Sequence, residues 1–245
     1  MIQGDMTALN TFEYIQYGAG SKDSSAVPEK LVFTMHGYGR NAHFMEKVAK
    51  DIVYHFPTTG VIGVHAPEAL DLPEELDVSD MNMPDELLTP DGTLSEDMQR
   101  QWFSMHGHII RIWWRIWRLR KRVNRFVDAL AGHYGLECQD VIFIGFSQGG
   151  AAALYSALAR KKAIGCVIGH STVYWGKMPI RSKPPVYMLY GDKDKSISQS
   201  LYNESQRRLE KAGIDVTVFK FPGQGHYIST RSRARMVEIL ADYLV

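Results

Sequence analysis

Apolar residues in this chain fall into short unbroken runs, and longer stretches of helical character separate them. Leu31-Val32-Phe33-Thr34-Met35 is the first run and ends at His36-Gly37. A helical stretch follows from about Ala42 to Phe56, then a second strand at Val61-Ile62-Gly63-Val64. Val141-Ile142-Phe143-Ile144 leads into a helix-forming run at Ala151–Tyr155. Further strands are expected at 164–169, 185–190 and 216–221, with helices at 199–212 and 230–244. The middle strands are continuously apolar, as in a parallel sheet covered on both faces. Strands that alternate with helices in this way predict an α/β, doubly wound fold: a mostly parallel sheet with helices on both faces. No internal repeat is visible.

Two stretches break that rhythm. Between Glu68 and Asp97 stand eleven acidic residues and no Lys or Arg, punctuated by Pro73, Pro84 and Pro90. Leucines and methionines are spread through the segment. Residues 68–104 are read as an acidic insertion into one domain of 1–245, and as a flap over the active site. The second stretch begins at Ile109. At 100° per residue, Ile109, Ile112, Ile116, Leu119, Val123, Val127 and Leu130 share one face, with Arg111, Arg115, Arg118, Arg122 and Arg125 opposite. A basic amphipathic helix with tryptophans can lie on a membrane surface. A helix is also needed between the third strand and the strand at 141, and the stripe fits a sheet face. The structural role is preferred, and membrane contact through 109–122 is the alternative.

Composition excludes more than it assigns. A chain of 245 residues, 45% hydrophobic and 22% charged, suits one domain with a sizeable core. A net charge of +1 gives no reason to expect a nucleic-acid partner. Two cysteines, Cys138 and Cys166, make no disulfide framework, and no ligand spacing suggests a metal. The first residues lack a basic start and a long apolar stretch, and no window approaches a membrane span. The expected location is the cytoplasm, with no cofactor. Nothing in the sequence bears on the oligomeric state.

The chemistry concentrates in Gly145-Phe146-Ser147-Gln148-Gly149-Gly150. An apolar run precedes it and a helix former follows, so a serine stands at the apex of a sharp strand–turn–helix. The flanking glycines leave room for the turn. Such a turn exposes the Ser147 hydroxyl and sets the Gln148 N–H at a helix N-terminus, where a developing oxyanion would be stabilised. A serine hydroxyl needs a base, and the base needs an orienting carboxylate. In this arrangement the acid and then the base follow the serine in sequence. The strand at 185–190 ends in Gly191-Asp192-Lys193-Asp194. Either aspartate could serve; Asp194 is preferred, with Asp192 as a turn former. Only His170 and His226 lie beyond Ser147. His226 occupies the loop after the last strand, where the base belongs, whereas His170 precedes the acid and would line the site instead. His36-Gly37-Tyr38-Gly39 follows an early strand and can turn the Tyr38 N–H towards the site as a second oxyanion donor.

Together these residues resemble the phospholipase/carboxylesterase family of α/β-hydrolases, which includes the acyl-protein thioesterases. The matches run in order through His36–Gly39, Ala66-Pro67, Gln101-Trp102-Phe103, Gly145–Gly150, Gly191–Asp194 and Gly225-His226. The resemblance implies an α/β-hydrolase fold, Ser147 as nucleophile, Asp194 as orienting acid and His226 as base. It implies oxyanion N–H groups from Tyr38 and Gln148, and a substrate pocket near Trp102 and Phe103. Lys195-Ser196-Ile197-Ser198 departs from the valine-proline common in the family after the acid, and Gly169-His170-Ser171 stands where small residues are usual. The expected activity is hydrolysis of short to medium acyl esters through an acyl-enzyme. The substrate would be a small-molecule ester or thioester. The alternatives are a thioesterase or lysophospholipase working at a membrane surface, and a non-catalytic binding protein on the same scaffold.

Overall fold

The apolar runs become six of the seven strands of one sheet among the described residues. A computed structural model describes residues 11–70 and 100–244. Its strands in chain order are β1 (Tyr14–Gly18), β2 (Lys30–Met35), β3 (Thr59–Val64), β4 (Glu68–Ala69), β5 (Arg100–Gln101), β6 (Val141–Phe146), β7 (Cys166–His170), β8 (Val186–Gly191) and β9 (Val216–Phe221). The main sheet runs β1-β3-β2-β6-β7-β8-β9. All neighbours are parallel except β1, which pairs antiparallel with β3 from Tyr14↔Val64 to Gly18↔Gly60. β1 is half-exposed along its length, and its mixed sequence gave no run for periodicity to detect.

Alternate strand residues feed two separate cores, as the two-residue period of a strand requires. Leu31, Phe33, Val141, Phe143 and Val167 face one layer, and Val32, Ile142, Ile144 and Ile168 face the other. The second layer is closed by α1 (Glu46–His55), entered through a single 3-10 turn at Ala42–Met45, and by α5 (Thr230–Leu244). The first layer is covered by α2 (Ile109–His133), α3 (Gln148–Leu158) and α4 (Gln199–Lys211). α3 lies in the middle of the molecule and every one of its residues is buried.

α2 carries the amphipathic stripe, but only part of the stripe is used. Ile116, Leu119, Val123, Phe126, Val127 and Leu130 are buried against the sheet. The first turns are different: Ile109 is 54% exposed and Ile110 69%. No helix among the described residues is long and apolar enough to cross a membrane.

The acidic insertion expected over 68–104 falls mostly on 71–99, and the proposed flap with it; those residues lie outside the described ones. The described ends of the insertion form a two-residue antiparallel ladder, Glu68↔Gln101 and Ala69↔Arg100.

Candidate active site

The turn between β6 and α3 is shaped by exclusion. Ser147 holds φ +52° and ψ −118°, a conformation that L residues rarely adopt without support. A Cβ on Gly145 would lie 2.4 Å from the Gly149 carbonyl oxygen. One on Gly149 would lie 2.3 Å from the carbonyl oxygens of both Met35 and His36. The start of α3 therefore passes directly against the end of β2, and only glycine fits. Hydrogen bonds then fix the apex. The Ser147 N–H donates to the His170 carbonyl at 2.9 Å, and the Thr172 hydroxyl donates to the Ser147 carbonyl at 2.8 Å.

Three side chains from three loops converge there. His226 Nε2 stands 3.1 Å from Ser147 Oγ, and His226 Nδ1 stands 2.7 Å from Asp194 Oδ2. Asp194 is the preferred aspartate of the pair, and its side chain is only 1% exposed. Asp192 instead accepts the Gly223 N–H at 2.7 Å, bracing the β8 turn to the loop that carries His226. Burial alone would raise the Asp194 carboxyl. The hydrogen bond from His226, the Ile197 N–H, the His226 charge and the Tyr202 hydroxyl outweigh it and hold the carboxyl below its ordinary value. Its surroundings thus favour the ionised form of Asp194.

The loop after β2 is held by a neutral histidine. His36 Nδ1–H donates to the Gly37 carbonyl at 2.7 Å, and Nε2 accepts the Ala66 N–H at 2.9 Å. Burial, with His65, Arg100 and Arg40 adding positive charge nearby, lowers its pKa to about 3. Tyr38, two residues on, lines a cavity of about 240 Å³ that Ser147 and Gln148 also border. Met105, Val173, Trp175, Ile197 and Leu201 supply the apolar walls of that cavity.

Trp102, Phe103 and His170 were expected against substrate. All three are fully buried, and none is among the described residues lining that cavity. Trp102 donates its indole N–H to the His36 carbonyl at 2.7 Å and its backbone N–H to Gln148 Oε1 at 2.9 Å. Gln148 Nε2 donates in turn to the Phe103 carbonyl at 2.7 Å. The pair thus ties the Tyr38 loop to the start of α3. His170 lies behind the site, where burial and the neighbouring His226 lower its pKa to about 3. Its Nε2 faces Gln224 Nε2 at 3.2 Å, and that amide also donates to the Tyr227 carbonyl at 2.8 Å. The His226 loop is therefore anchored on both sides of the histidine.

Sequence reasoning missed Thr172, Gln224 and Tyr202. None stands in a motif. Thr172 follows the strained Ser171, and Tyr202 lies one turn into α4, where nothing in the pattern separates it from any core aromatic.

Residues 22–244 match the model of the Phospholipase/Carboxylesterase family. Among curated proteins, Acyl-protein thioesterase 1 of Neurospora crassa is 28% identical over 101 residues, 38% of this chain and 41% of that protein. The "Probable carboxylesterase SOBER1-like" of Arabidopsis thaliana is 31% identical over 121 residues, 44% of each. The chain thus spans less than half the length of these curated relatives. Among solved structures, esterase PE8 superposes with a TM-score of 0.75 at 20% identity, over 95% of this chain and 99% of the other. A likeness at that identity speaks for the fold.

Proposed function

The chain belongs to the phospholipase/carboxylesterase family, and we propose that it is a single-domain serine hydrolase that cleaves carboxylic esters of short to medium acyl chain. The observation that carries this reading is the unbroken line Ser147 Oγ, His226, Asp194, with separations of 3.1 and 2.7 Å. Ser147 Oγ attacks the acyl carbonyl while His226 Nε2 takes its proton. Asp194, already ionised, accepts the Nδ1–H and stabilises the imidazolium that forms. The oxyanion rests on the Tyr38 and Gln148 N–H groups, the latter at the positive end of α3. His226 then protonates the leaving alcohol or thiol. Water, activated by the same histidine, releases the acid.

The acyl chain would occupy the cavity walled by Val173, Trp175 and Ile197. At about 240 Å³ it lies below the roughly 300–1,000 Å³ of pockets for drug-sized ligands, which suits a short or medium chain. Hydrolysis of p-nitrophenyl esters from acetate to laurate tests this directly. Activity should peak before laurate and vanish in Ser147→Ala. Failure to hydrolyse any ester together with failure to react with a fluorophosphonate, in folded protein, would favour a binding protein on this scaffold.

One observation favours a second reading, a thioesterase or lysophospholipase at a membrane surface. Ile110, Trp114 and Trp117 share an exposed face of α2, with Arg118 stacked 4.6 Å from the Trp114 ring and Lys121 3.5 Å from the Trp117 ring. Cations over exposed indoles suit an anionic interface. Flotation with anionic liposomes should then depend on Trp114 and Trp117; absence of flotation would sink this reading.

A further inference from the structure

Asp194 does not rely on its own loop alone. Its two oxygens accept four hydrogen bonds. Oδ1 takes the N–H groups of Ser196 and Ile197, each at 2.9 Å. Oδ2 takes His226 Nδ1–H at 2.7 Å and the Tyr202 hydroxyl at 2.9 Å. The two amides come from the turn that follows Asp194. The phenol comes from α4, and its ring is locked: Tyr202 is 3% exposed and stacks on Tyr190 at 4.3 Å and 17°. Gln199 Nε2 holds the Tyr190 hydroxyl at 2.8 Å. The hydroxyl therefore cannot swing away without moving the helix.

We propose that Tyr202 is a positioning residue for the base. Its hydroxyl fixes the rotation of the Asp194 carboxylate so that Oδ2 faces His226, and it limits how strongly that carboxylate holds the His226 proton. The argument rests on the serine-hydrolase reading above. A carboxylate oxygen that accepts two charge-assisted hydrogen bonds shares its charge between them. Without the phenol, Oδ2 would serve His226 alone, would be free to rotate, and would bind the Nδ1 proton more tightly. The imidazolium would then be held more firmly and return its proton to the leaving group less readily. The charged and titratable groups facing the pair are few. His170 stands behind His226 and is held neutral by burial, and the Tyr202 phenol is held in its neutral form by burial as well. His170, whose Nε2 faces Gln224, makes no hydrogen bond to Oδ2.

Tyr202→Phe keeps the stacked ring and removes only the donor. The expected result is kcat lowered by about tenfold, KM unchanged, and the acid limb of the kcat/KM profile displaced to higher pH. The low-field proton NMR signal of the His226 Nδ1–H should shift, with only the modest fall in melting temperature that one lost hydrogen bond causes. A purely structural role would lower the melting temperature and leave the limb and the signal in place. A Tyr202→Phe profile and signal superposing on the parent would overturn the proposal. If Tyr202→Phe does not fold, 3-fluorotyrosine at 202, a stronger donor of the same shape, should move the NMR signal the opposite way; no movement overturns the proposal. Failure of the underlying reading looks different. The parent would then hydrolyse no ester, or Ser147→Ala would keep full hydrolysis, while the parent's His226 Nδ1–H signal still responds to Tyr202→Phe.

Discussion

The Ser147 turn and the Asp194 loop reach similar precision by opposite means. Ser147 is held because nothing else fits around it: glycines at 145 and 149 mark places where backbone already occupies the space of a Cβ. Asp194 is held by attraction, with four donors gathered on two oxygens. Exclusion acts at a few ångströms through steep repulsion and admits one residue type. Attraction is distributed, so any one donor can be lost while the rest persist. The first kind of construction should break abruptly and the second by degrees.

The sharpest break is at the chemistry that both serve. Ser147→Ala should lower kcat/KM for p-nitrophenyl butyrate by about 10⁵-fold or more without changing the circular dichroism spectrum. Asp194→Asn, which removes the charge but keeps the shape, should cost about 10³–10⁴-fold, and a loss below tenfold would mean the carboxylate is not the orienting group. Gly149→Ala tests exclusion itself. Its methyl would overlap two backbone carbonyls, so chemical denaturation should show a loss of more than about 3 kcal/mol. The attractive side yields less: Thr172→Val, which removes the donor to the Ser147 carbonyl, should cost about 1 kcal/mol.

Acid probes the same frame, because the Tyr38 and His226 loops beside these regions each rest on one buried neutral histidine. His36 supports the Tyr38 loop, and His170 backs the His226 loop; both are held to a pKa of about 3. In the unfolded chain they would take up protons near 6.5, so the stability from keeping them neutral is fully present above 6.5. It is lost as pH falls from 6.5 towards 3. Melting temperature should decline across that window, and His170→Gln should flatten part of the decline.

The same contrast explains what could be read in advance. Gly145 and Gly149 leave a mark in sequence because exclusion demands one residue. The order of Ser147, Asp194 and His226 left a mark because the topology of a parallel sheet puts its functional loops at one end. The parallel strands were legible for the same reason, being apolar on both faces. β1 was not, since a half-exposed edge strand such as Tyr14–Gly18 needs no apolar run. Tyr202 and Gln224 were not, because a donor can arrive from any element that happens to pass within 3 Å. Trp102 and Phe103 are placed near the pocket by resemblance, and periodicity gave no sign that their polar contacts join the Tyr38 loop to Gln148. The amphipathic stripe of α2 predicted a helix correctly, but periodicity carries no information on how far the sheet beneath extends, so the exposed turn at Ile109 and Ile110 could not be foreseen.

The small ladder of β4 and β5 has an evolutionary consequence. It clips the chain leaving at Ala69 to the chain returning at Arg100, and Arg100 and Gln101 lead straight into Trp102. Once two ends are clipped, the entropy of closing the excursion grows only with the logarithm of its length, about 0.6 kcal/mol for each doubling. Mutation could lengthen, shorten or rewrite what lies between those ends at little thermodynamic cost, while the clip keeps Trp102 against the catalytic frame. A lineage carrying this ladder can therefore vary the sequence between Ala69 and Arg100 without rebuilding the residues around Trp102.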